Sequence, residues 1–243
     1  NRVMATQNKV SSSEEAVILS DECALDIYSL QAEHNLKIGL SEYEDAHLES
    51  ARTYFEKAGI FFGRAARMEH DNVKRAKYFG RAGLCSVYAK QYEHAISFST
   101  KALEENSLPL PLVAVTHLTI ADAKLGLGQY TECIAETEKV AALSQTFPEM
   151  YAILGDALRK LQNMDEAAQN YDRCLSIINK TAINELDFTE YCIAIRAELG
   201  LQKLGRSTSQ KFEQEAIKNH YPKIMEVMKE YDVLPVSFGT IAE

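Results

Sequence analysis

Apolar residues recur every three or four positions along most of the chain, the spacing that gives a helix one buried face. Residues 151–177, Tyr-Ala-Ile-Leu-Gly-Asp-Ala-Leu-Arg-Lys-Leu-Gln-Asn-Met-Asp-Glu-Ala-Ala-Gln-Asn-Tyr-Asp-Arg-Cys-Leu-Ser-Ile, read as two such helices joined by a short polar turn. The same turn is predicted at Ala-Lys-Gln-Tyr-Glu-His-Ala-Ile (89–96) and Leu-Gly-Gln-Tyr-Thr-Glu-Cys-Ile (127–134), each followed by an acid in the first turn of the next helix, where the helix dipole favours it. Small residues punctuate the pattern. Gly39, Ala51 and Ala58 are separated by twelve and then seven residues, and so are Gly83, Ala95 and Ala102; Ala121, Cys133 and Val140; and Gly155, Ala167 and Cys174. A fifth set, Ala197, Ser209 and Ala216, fits the spacing in weaker surroundings. Offsets held through successive units indicate places where helices touch too closely for a long side chain.

The steps between units are uneven: 44 residues from Gly39 to Gly83, then 38, 34 and 42. The longest is expected to lengthen the second helix of unit one through Ala-Gly-Ile-Phe-Phe-Gly-Arg-Ala-Ala-Arg-Met, with a break at Glu69-His70-Asp71-Asn72. The next surplus falls at 106–111, where two prolines forbid helix continuation and Pro111 can open the following helix. The last falls in the stretch beginning at Asn179. Ser11-Ser-Ser-Glu-Glu15 has the spacing of a capping box ahead of Ala16-Val-Ile-Leu19, so residues 13 to about 43 read as one long helix or two that nearly merge. Pro222 interrupts the last helical pattern.

This pattern resembles the tetratricopeptide repeat family. Its signature, W-x2-L-G-x2-Y followed by A-x3-F and P, is met best by Tyr151, Leu154, Gly155, Leu158, Ala167 and Tyr171, without the tryptophan. The resemblance covers roughly residues 32 to 180. It implies an all-α fold: a right-handed helical-repeat solenoid of antiparallel helix pairs with capping helices at both ends. Units are expected near 32–75, 76–113, 114–147, 148–181 and a degenerate 188–221, within one domain of residues 13–231 flanked by a disordered tail at 1–12 and a C-terminal tail at 232–243.

Composition narrows the function. The chain of 243 residues is 46% hydrophobic and 25% charged, ordinary for a globular protein, and its eleven Gly and five Pro are too few for a many-stranded sheet. A formal charge of −9 argues against nucleic acid or an anionic membrane as the main partner. No apolar run of about 18 residues suggests membrane insertion. Five widely spaced cysteines without a C-x-x-C pair point to free thiols in a reducing compartment, hence an intracellular, cytoplasmic or nuclear protein.

Candidate chemistry is sparse. His34, His47, His70, His94, His117 and His220 form no metal-ligand spacing, Cys85, Cys133 and Cys174 occupy packing positions, and no phosphate-binding loop or nucleophile elbow occurs. No cofactor is expected, and the chain reads as a non-catalytic adaptor or scaffold. In tetratricopeptide arrays the first helix of each unit lines a concave groove, and the resemblance implies a partner-binding stripe along these helices. In unit two it would run Lys74, Lys77, Arg81, Leu84 and Tyr88, a basic entrance followed by an apolar shelf, suited to a peptide segment or helix with an acidic group and an apolar anchor. Unit one would add Lys37 and Leu40, unit three Val115, Leu118 and Asp122, and unit four Ile153 and Asp156. An exposed apolar stripe needs a cover, either a ligand or a terminal helix of the same chain. Lys77 and Arg81 match the basic pair of family members that clamp chaperone C-termini, but Leu36 and Leu40 stand where the earlier clamp residues are expected, which removes most of that resemblance. Two alternatives remain: a self-associating subunit, suggested by Tyr54, Phe55, Phe61, Phe62 and Tyr78 near unit one, and a helical-repeat enzyme using dispersed acids.

Overall fold

The computed structural model describes residues 2–230, with side chains described from Asp21 onward except at Asn219 and Glu230. Eleven α-helices occur among these residues, and they pair in chain order. α1 (Arg2–Glu44) packs on α2 (Leu48–Met68), α3 (Asn72–Tyr88) on α4 (Tyr92–Glu104), α5 (Leu110–Gly126) on α6 (Tyr130–Leu143) and α7 (Pro148–Lys160) on α8 (Met164–Ile178). A 3-10 turn (Ile183–Glu185) leads to α9 (Phe188–Lys203), α10 (Lys211–Asn219) and α11 (Ile224–Glu230). The first helices of successive pairs also touch, α3 on α5, α5 on α7 and α7 on α9, which makes the array a solenoid.

The helix boundaries follow the punctuation in the sequence. α2 has 21 residues against 13 in α4, which accounts for the longest step, and α3 opens where the Asp71 side chain accepts a hydrogen bond from the Lys74 amide at 2.8 Å. Pro111 and Pro148 lie in the first turns of α5 and α7, where a missing amide proton costs nothing. α9 is opened by a capping box between Asp187 and Glu190. At the N-terminus α1 runs from Arg2 to Glu44 and includes Ser11, Ser12 and Ser13 within the helix. The expected tail at 232–243 lies outside the described residues.

All five units share one turn. A residue with positive φ follows the first helix of each pair: Ala46, Lys90, Gly128, Gln162 and Gly205. Each turn is closed by the same two main-chain bonds, for example Lys90 N–H to Val87 O at 2.9 Å and Gln91 N–H to Ser86 O at 2.8 Å, so these two end carbonyls of the helix are satisfied without any side chain. The turn lies seven residues after Gly39, Gly83, Ala121 and Gly155 but eight after Ala197. The fifth set is therefore out of register by one, and its middle member, Ser209, is exposed.

The small residues do mark close approach, although their partners are largely side chains sixteen positions later. A Cβ built on Gly39 would lie 3.0 Å from the Phe55 ring, on Gly83 2.3 Å from the Ser99 hydroxyl, and on Gly155 2.7 Å from the Tyr171 ring. Tyr171 is also wedged against Gly200, where a Cβ would come within 2.3 Å. Cys85, Cys133 and Cys174 are buried, and Phe55 and Phe62 of the aromatic group near unit one are core residues as well.

Candidate interaction surface

The predicted stripe is mostly interior. Leu84, Val115, Leu118, Asp122 and Ile153 are inaccessible, and Tyr88 and Asp156 are nearly so. Instead of lining an open groove they belong to the core, Tyr88 against α1 and the two aspartates against α9. Tyr43, in the last turn of α1, packs edge-on against Tyr88 (5.3 Å between ring centres) and against Phe188 in the first turn of α9 (5.7 Å), and Phe188 in turn meets Tyr221 at 4.9 Å. The Lys223 ammonium donates to the Asp45 carbonyl at 3.1 Å. Units one and five thus meet.

Further along the interior, Arg196 of α9 donates to Asp156 at 2.6 Å and reaches Asp122 at 3.5 Å. Two buried carboxylates share one buried guanidinium, and units three, four and five are tied through it. Asp156 also accepts from the Tyr171 hydroxyl at 2.5 Å. The longer contact leaves Asp122 poorly neutralised, and its Oδ2 has no hydrogen-bond partner. Burial, opposed by Arg196, pushes its carboxyl up to about 7 from 3.8. Glu149 is likewise pushed up by burial to about 7. On α6, Glu136 gathers His117 (2.8 Å), Lys124 (2.9 Å) and Lys139 (3.0 Å), joining α5 to α6.

The basic entrance is partly engaged. Arg81 makes a two-pronged pair with Glu33 and stacks 4.5 Å above the Phe62 ring, so its charge belongs to the packing of α1, α2 and α3. Lys37 and Lys74 are exposed and Lys77 half-buried; Leu40 is half-buried against the core. Lys77 stands at a narrow notch between α3 and α5 lined by Ala76, Gly80, Leu108, Leu112 and Thr116. What survives of the stripe at the surface is thus its basic rim with a small apolar notch.

Arg196 escapes the sequence reading although a signal was present: it is a lone charge inside the apolar run Cys192-Ile-Ala-Ile, Ala197, just as Asp122 is in α5. A larger cavity, about 450 Å³, opens at the shared turns and is lined by Lys90, Tyr92, Tyr130, Asp156, Arg159 and Lys160 together with residues 125–128. No group of His, Cys, Asp and Glu among the described residues could hold a metal ion, and no helix among them is long and apolar enough to cross a membrane.

Residues 148–181, α7, α8 and the turn after them, match the tetratricopeptide repeat family model. The chain carries a tetratricopeptide repeat. In this unit the glycine and alanine of the repeat signature, Gly155 and Ala167, are buried, and Tyr171 stands buried at its phenylalanine position. The solved structure of BtubC (BKLC) from P. vanneervenii is similar over 89% of this chain and 95% of its own, with a TM-score of 0.52 and 14% identity, a likeness of fold alone. A MamA RS-1 double mutant (ArsTM) covers 83% of this chain and 97% of its own at 16% identity and a TM-score of 0.45. No curated protein matches the sequence. The helix pairs stacked around the repeat at 148–181 are tetratricopeptide-like in architecture.

Proposed function

We propose that the chain is a non-catalytic protein-interaction module, an adaptor or scaffold that receives a segment of a partner on the rim of its first units. The observation that carries this reading is the tetratricopeptide repeat at 148–181 within an array of like helix pairs, an architecture that presents helix faces to other proteins. Lys77 at the notch between α3 and α5, with Lys74 exposed one turn earlier on α3, offers a basic rim that suits an acidic group of a partner segment. Burial pushes the thiols of Cys85, Cys133, Cys174 and Cys192 upward, which stands against thiolate chemistry at these positions.

The test is affinity capture from cell extract with wild type and Lys74→Glu/Lys77→Glu, after both give the same circular dichroism and melting temperature. Arg81 is left intact, because reversing it would also break the pair with Glu33. Selective loss of a partner by the variant supports the rim; retention of every partner refutes it. A second reading, self-association, is favoured by Ile27 and Leu30, which are 53% and 69% exposed on α1. A mass that rises with concentration in wild type and not in Ile27→Ser/Leu30→Ser would establish it.

A further inference from the structure

α3, α5, α7 and α9 each pack on the second helix of the preceding pair, whereas α1, the first helix of the chain, presents its outer side to solvent. Part of that side is apolar. Cys23, Ile27, Leu30 and His34 follow one another at separations of four, three and four residues, so they lie along one side of the helix, opposite the buried Ala32 and Leu36. All four are exposed, Ile27 by 53% and Leu30 by 69%. The end of a helical-repeat array ordinarily carries a polar outer face.

The repeat register sets this strip apart. Leu30 stands nine residues before Gly39, where units two, three and four have Lys74, Leu112 and Thr146. Lys74 and Thr146 are exposed and polar, and Leu112 is apolar and buried against the notch beside α3. Of these four positions, the one in unit one alone is both apolar and exposed. His34 stands five residues before Gly39, where the later units have Tyr78, Thr116 and Met150. Thr116 and Met150 are buried, and the half-buried Tyr78 stacks on Phe62 of the preceding α2 at 6.2 Å. Positions that later units use to seat on their predecessor are thus bare on α1.

Charge selects the occupant. Glu22 and Asp26, four residues apart along one edge of the strip, are exposed and make no ion pair among the described residues. Glu33 continues that edge but is engaged by Arg81. Between Lys9 and Lys37 the sequence has six acids and neither lysine nor arginine. Arg64 of α2 lies over the Tyr28 ring at 5.6 Å, two residues on from Asp26 and so on the other side of the helix. A second copy laid along residues 21–34 would set these acids against one another. We infer that the strip seats a basic amphipathic helix of another protein, its apolar side on Ile27 and Leu30 and its lysines or arginines against Glu22 and Asp26. The partner helix then takes the place that α2 takes on α3. This surface is separate from the basic rim.

The experiment titrates the full chain into a fluorescein-labelled peptide, Leu-Lys-Lys-Leu-Leu-Lys-Lys-Leu-Leu-Lys-Lys-Leu-Leu-Lys, and into a permutation of it that scatters the leucines around the helix. Cys23 reports the place of binding without any substitution: it is exposed while the other four cysteines are buried, so its alkylation slows when the strip is covered. The variants are Ile27→Ser/Leu30→Ser, Glu22→Lys/Asp26→Lys and, as a remote exposed pair on α6 with the same change of charge, Glu132→Lys/Glu138→Lys. The expected result is saturable binding of the amphipathic peptide, alkylation of Cys23 slowed about tenfold, and affinity weakened about tenfold by each α1 pair and little by the α6 pair. The inference is overturned by absence of binding, by equal binding of the permuted peptide, by unslowed alkylation of Cys23, or by equal weakening in the α1 and α6 charge variants, which would signify general charge attraction. A mass that rises with concentration in wild type without peptide, and not in Ile27→Ser/Leu30→Ser, also overturns it, in favour of a second copy on this face.

Discussion

Replacing Asp122 by asparagine tests whether the interior network is held with one of its two carboxyls protonated. Asp122 is inaccessible, its Oδ2 has no partner, and Arg196 stands 3.5 Å from one oxygen while pairing more closely with Asp156. Burial therefore dominates and holds the carboxyl near 7 rather than at 3.8. Between those values the folded chain binds more protons than the unfolded one, so this group makes stability fall as pH rises, up to about pH 7, and has no further effect above it. Each pH unit in that window is worth about 1.4 kcal/mol. From pH 5 to pH 8 only the two units below 7 count, so the advantage of Asp122→Asn over wild type is expected to grow by about 3 kcal/mol. The amide imposes a constant cost of about 1–3 kcal/mol for a buried donor without a partner, which cancels when the two pH values are compared. Urea unfolding followed by circular dichroism at pH 5 and pH 8 gives the four stabilities required. If the difference between variant and wild type is the same at both pH values, Asp122 is ionised throughout and the reasoning fails.

The remaining predictions concern packing and the turn. Arg196→Ala strands two buried carboxylates and is expected to destabilise the chain at pH 8 by about 3–5 kcal/mol, and by much less at pH 5; an equal loss at both would refute the charge argument. Gly200→Ala drives a methyl group into the Tyr171 ring, 2.3 Å away, and should cost about 1–3 kcal/mol or more in urea unfolding; a neutral result would mean that the wedge between α8 and α9 is loose. Gln162→Gly relieves a left-handed backbone at φ 66° and should raise stability by about 1 kcal/mol, where the same change in a helix interior would lower it.

The helices and turns were legible because their causes are local. Gly39, Gly83 and Gly155 precede the turn by the same seven residues, Pro111 and Pro148 open helices, and the long α2 fills the longest step. What the sequence concealed depends on how tightly the array curls. Leu84, Val115, Leu118 and Ile153 carry the periodicity of a groove stripe whether that stripe faces a ligand or the chain's own core, and only their complete burial in the folded chain decides between them. Arg81 was readable as a cation on the correct face, but its engagement by Glu33, 48 residues away, was not. The fifth unit was misaligned by one residue because Ala197 and Ala216 satisfy the spacing while its turn, one residue later, is carried by Gly205.

The meeting of Tyr43, Phe188 and Tyr221 has a bearing on how the molecule assembles. Stacked helix pairs make contacts that are close in sequence, and such an array can nucleate at any unit and propagate to its neighbours. Lys223 and Asp45, 178 residues apart, can meet only once every intervening pair has docked. Closure is therefore a late event with a high entropic barrier, and once made it couples the two ends, so that amide exchange at the end of α1 should quicken when α11 is deleted.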